Sequence, residues 1–86
     1  MIKIEKKTFE SLFNLYYSGL IVYANRFTNQ IEISEDIVHD VFIALWEKKD
    51  SLFMESAKAY LFSSVHNRCL NYLEQLNVRN KYQEQI

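Results

Sequence analysis

Eighty-six residues with a formal net charge of −1, 49% hydrophobic and 15% aromatic, describe one globular domain rather than a disordered tail or a general nucleic-acid-coating protein. A chain of this size buries roughly 60–65% of its unfolded surface, so its core lies near the lower end of self-sufficiency. One Gly and no Pro remove the usual punctuation of hairpins and long loops, and the single Cys69 excludes an internal disulfide.

Those limits predict an all-α fold: a compact three-helix bundle with room for one short extra helical turn, residues 1–86 forming a single domain. The first helix is expected to open at Thr8, whose hydroxyl can cap the first turn, with Glu10 favourable near the positive end of the dipole. Phe9, Leu12, Phe13, Tyr16, Leu20, Tyr23, Ala24 and Phe27 recur at helical spacing and predict one buried face ending near Thr28–Asn29. Gly19 interrupts this run at a cost of up to ~1 kcal/mol relative to Ala, and a close neighbour would explain it.

The second helix is expected from a Ser34 cap to Lys48 or Lys49, with Glu35 and Asp36 at its positive end. It carries two apolar stripes. Ile37, Val41, Ala44 and Leu45 form one; Val38, Phe42 and Trp46 form the other. One stripe serves a bundle core, so the second, beside Asp36, His39, Asp40 and Glu47, suggests a docking face. A loop from Asp50 to Glu55 would then expose Leu52, Phe53 and Met54. Ser56 would cap a third helix running from Ala57 past Leu76, burying Leu61, Val65, Cys69, Tyr72 or Leu73, and Leu76. The tail from Asn77 to Ile86 either continues that helix or frays.

Charge is uneven along the chain. Between Gln30 and Asp50 the acids Glu32, Glu35, Asp36, Asp40, Glu47 and Asp50 face only Lys48 and Lys49. Between Ala57 and Tyr82 the bases Lys58, Arg68, Arg79 and Lys81 face only Glu74. Such a molecule is suited to two partners of opposite sign. Catalysis is not expected: Ser63 and Ser64 beside His66 do not make a nucleophile, base and orienter. No metal site is expected from Asp36 and Asp40 or from Cys69, His39 and His66, and no cofactor is expected in the absence of a glycine-rich phosphate loop. Met1 to Lys7 is charged and unlike a signal peptide, and no run approaches the ~20 apolar residues of a membrane span, so a cytoplasmic setting is expected.

Three segments in order, FESLFNLYYSGLIVYANRF, SEDIVHDVFIALWEK and KAYLFSSVHNRCLNYL, resemble region 2 of bacterial RNA polymerase sigma factors, in particular the extracytoplasmic-function group. The likeness covers about residues 9–76 and rests on Glu35–Asp36, Trp46, Tyr60–Leu61–Phe62, Asn67–Arg68 and Tyr72–Leu73. It implies a transcription initiation factor without enzymatic turnover. Glu35, Asp36, His39, Asp40, Phe42 and Trp46 would dock on the β′ clamp helices of core RNA polymerase. His39 replaces the Gln usual in the family.

The resemblance also implies recognition and melting of the promoter −10 element, its non-template strand held by the loop and third helix. Leu52, Phe53 and Met54 would then shape a base pocket, while Lys58, Tyr60, Ser64, Asn67, Arg68 and Asn71 supply charge, stacking and amide contacts. An inhibitory anti-sigma protein is a further partner the family admits. The segment after Leu73 is less basic than in many relatives, which predicts weak intrinsic DNA affinity. The chain ends where a linker and a helix-turn-helix domain would follow in the family. From a different class, a dimerising adaptor that binds no nucleic acid would also use the aromatic surplus; its stable homodimer would cover the Val38–Trp46 stripe.

Overall fold

The computed structural model describes residues 1–84, with side chains described through Lys81. Its elements are α1 (Lys6–Thr28), α2 (Ile31–Glu47), a single 3-10 turn (Lys49–Ser51) and α3 (Met54–Glu84). The all-α bundle expected from composition is what forms, and the extra helical turn sits in the bend before α3.

Each helix starts three or four residues earlier than its hydroxyl-bearing residue suggests. Thr8 lies inside α1, which opens at Glu5; Ser34 lies inside α2, which opens at Gln30; Ser56 lies in the first turn of α3. The capping oxygens are absent at the true starts, where neither Glu5 nor Gln30 makes a side-chain cap bond. Ser34 is used differently. It is fully buried and its hydroxyl lies 2.7 Å from that of Thr28 and 3.0 Å from the Gln30 carbonyl, tying the end of α1 to the start of α2. Asn29 closes α1 at φ 54°, a left-handed conformation that Asn tolerates better than most residues, and its amide donates to the Asn25 carbonyl.

The connections are short, so the chain reverses twice. Phe9 meets Trp46 and Phe13 meets Phe42, which makes α2 antiparallel to α1. Tyr16 meets Phe62 and Phe27 meets His66, which makes α3 parallel to α1. Leu12, Leu20, Ala24, Val41, Leu45, Leu61, Val65 and Cys69 fill the centre. Burial pushes the Cys69 thiol above its ordinary pKa, as expected for a structural rather than reactive cysteine. Gly19 has open space around it, so no close neighbour explains it.

Two expectations about apolar surface change. Val38 and Phe42, read as part of an outward stripe, are 0% and 3% exposed. Because α2 packs against both other helices, it needs an apolar arc about twice as wide as a helix lying on one neighbour. The second stripe meets α1's aromatic rings, and only Trp46 reaches solvent, at 38%. At the other end, Leu76 is exposed rather than buried. The C-terminal part of α3 outruns α1 and α2, and every residue from Glu74 to Lys81 is exposed. The expected tail continues α3 to Glu84, and its last two residues lie outside the described residues.

Candidate functional site

The outward face of α2 begins with Glu35, half-buried, and Asp36, exposed, in the second turn of the helix. His39, Asp40, Ile43 and Trp46 follow at helical spacing and are all exposed. His39 is held from α1: its Nε2 lies 2.7 Å from the Tyr17 hydroxyl, and the two rings stack at 5.4 Å with an interplanar angle of 16°. That contact leaves Nδ1 as the ring nitrogen free for another partner.

Between the first turns of α1 and the second half of α2 runs an apolar groove of about 570 Å³. Phe9 and Phe13 form one wall, Ile43 and Trp46 the other, Phe42 the floor, while Lys6, Glu10 and His39 mark the rim. The Trp46 indole stands edge-on to Phe9 at 5.1 Å, and Lys49 Nζ sits 4.2 Å from its centroid, a cation–π contact that orients the ring. Phe42 therefore supports this surface from beneath rather than projecting from it. Ile43, at 56% exposure, is the apolar residue that sequence reading passed over. Its position one turn from His39 and three residues before Trp46 was the available signal.

A second surface lies on α3. Tyr60, Ser64, Asn67 and Asn71 fall within a narrow stripe at about 100° per residue, Tyr60 and Ser64 half-buried and the two asparagines exposed. Arg68 leaves the helix at the α2 side of this stripe, where its Nη1 lies 3.9 Å from Asp40 Oδ2. Lys48 Nζ lies 5.9 Å from the Tyr60 ring. Lys58 does not join them: it sits one turn before Phe62 and two before His66, on the flank that packs against α1.

The bend between α2 and α3 is more ordered than an exposed loop. Leu52 packs against the core, Phe53 is half-buried, and Met54 already belongs to α3. Lys3 pairs with Phe53 in an isolated antiparallel bridge, and the Met54 amide donates to the Ile2 carbonyl at 2.8 Å. The Ile2 amide donates in turn to Glu55 at 3.0 Å. Hydrogen bonds from its own backbone amide and from Ile2 hold the Glu55 carboxyl below the ordinary carboxylate range.

Among the described residues, no group of three or more His, Cys, Asp or Glu side chains is placed to hold a metal ion. No described helix is long and apolar enough to cross a membrane. No curated protein and no solved structure matches the chain. Residues 12–78, more than three quarters of the sequence, match the family model for sigma-70 region 2. With that match and this bundle together, the chain belongs to the sigma-70 region 2 family, whose domains bind RNA polymerase and recognise the promoter −10 element.

Proposed function

We propose that this chain is an extracytoplasmic-function type region 2 domain that docks on the β′ clamp helices of core RNA polymerase through α2, and captures the −10 non-template strand with the bend and α3. The observation that carries the reading is the surface of α2. An oriented, part-exposed indole ends an apolar groove, and Asp36 and Asp40 stand exposed beside it. Such a patch offers a partner one aromatic anchor and a carboxylate rim, the arrangement that concentrates binding energy and steers a basic surface into register. Phe42 acts beneath it by packing on Phe9 and Tyr17, the rings that meet Trp46 and His39. Strand capture then falls to Phe53 and the Tyr60, Ser64, Asn67, Asn71 stripe with Arg68, while Leu52 and Lys58 contribute from the edges.

The domain works as a transcription initiation factor in the cytoplasm without turnover of its own, and an anti-sigma protein would compete for the same surfaces. A homodimer built on the Val38, Phe42, Trp46 stripe loses two of its three members to the interior.

Trp46 is the single tryptophan of the chain, so 7-azatryptophan incorporated there gives docking an emission separate from the polymerase's own tryptophans. Titration with core RNA polymerase is expected to shift that emission and to saturate in the low-micromolar range or below. No change up to about 50 µM, equivalent to binding weaker than about −6 kcal/mol, overturns the reading.

A further inference from the structure

The five residues ahead of α1 lie at the end of the bundle where α2 finishes, and they close on the bend that precedes α3. Ile4 is 3% exposed and belongs to the main core, so the crossing segment is anchored by burial. Its backbone then does the rest: Lys3 bridges Phe53, the Ile2 carbonyl accepts from Met54, and the Ile2 amide reaches Glu55. The Met54 amide opens α3 and would otherwise have no helical partner, so this contact also fixes where α3 begins.

From this geometry we infer that residues 1–5 act as a strap, and that Ile2, Ile4 and Glu55 are positioning residues for strand capture, acting through the backbone of Phe53 and Met54. The inference rests on the proposed role of the bend. Holding an unstacked base requires a pocket whose walls are set before the base arrives, because ordering a loose bend on binding weakens the complex. The bend has no Gly or Pro to restrict or shape it, and its own bonds are confined to the 3-10 turn and the first turn of α3. The strap supplies the missing constraint. The strap's hydrogen bonds run to Phe53, Met54 and Glu55 rather than to α2, so the strap should act on DNA more than on polymerase.

The test uses the chain assembled with core RNA polymerase and a fluorescent single strand of about 12 nucleotides of randomised sequence. The wild-type chain should retain more strand than core alone; if it does not, the promoter-strand reading falls and this inference with it. Ile4→Asn, and deletion of residues 1–3, which keeps the Glu5 carbonyl that the Phe9 amide bonds, should each lower retention about tenfold while core affinity stays within about twofold. Ile4→Val should restore retention, and Ile4→Asn should speed hydrogen exchange at the Met54 amide. Ala24→Gly, which loosens the core away from the bend, is the control and should retain strand normally at comparable loss of Tm. Equal effects of Ile4→Asn and Ala24→Gly, or full retention by the strap variants beside a working wild type, overturn the proposal.

Discussion

Ser34 has the composition of a helix cap and the position of a core residue. Its hydroxyl and that of Thr28 share two protons among three acceptors, and the Gln30 amide donates back to Thr28 Oγ1 at 3.1 Å. Such a closed set is satisfied as it stands, and removing the Ser34 hydroxyl takes two bonds from it, one to Thr28 Oγ1 and one to the Gln30 carbonyl. Ser34→Ala should therefore destabilise the domain by about 1–2 kcal/mol. Gln30, by contrast, occupies the true cap with extended backbone and no side-chain bond. Gln30→Asp supplies the absent acceptor at the positive end of α2 and should stabilise by about 0.5–1 kcal/mol. Urea unfolding of the two variants checks both signs. A neutral Ser34→Ala would mean that the buried hydroxyl joint contributes nothing, and a destabilising Gln30→Asp would mean that Gln30 is not the cap of α2.

At the level of elements, α3 departs most from what a bundle requires. Cys69 is the last residue of α3 with no exposure, its Sγ facing the Ala24 carbonyl at 3.9 Å, and α1 ends four residues after Ala24. From Glu74 to Lys81 every residue of the helix is exposed, and an isolated helical segment of that length is marginal in water. Truncation after Gln75 should therefore change Tm by no more than a few degrees, corresponding to less than about 0.5 kcal/mol. A larger loss would mean the extension packs on the bundle. The three helices, their order and most of the core were legible in sequence because Leu61, Val65 and Cys69 repeat at one turn and no Gly or Pro interrupts them. Helix starts were less legible, since hydroxyls mark both caps and buried joints. The outward stripe on α2 was misread because periodicity reports apolar width but not the number of neighbours. The strap left no pattern at all: Ile2 and Ile4 alternate over too few residues to signal a bridge.

Across the whole molecule, the two proposed surfaces meet at Asp40 and Arg68. Both side chains are largely solvated, and a pair of this kind contributes at most about 1 kcal/mol, so it joins the faces without locking them. It nonetheless decides which substitutions can separate two functions. A change at Asp40 alters the charge facing Arg68, so it should disturb polymerase docking and strand capture together. Asp36 and Trp46 stand clear of α3's ion pair and report on docking alone. On the proposed division, Asp36→Lys with Trp46→Ala should weaken core binding by about 100-fold or more, one anchor and one reversed charge being worth about 3 kcal/mol together. Asn67→Ala with Asn71→Ala should leave core affinity within about twofold and slow open-complex formation on a promoter this factor uses. Asp40→Ala should show both defects in milder form. Polymerase affinity and open-complex rates for the three variants provide the measurement, and identical profiles for the first two would mean that the faces are not separate.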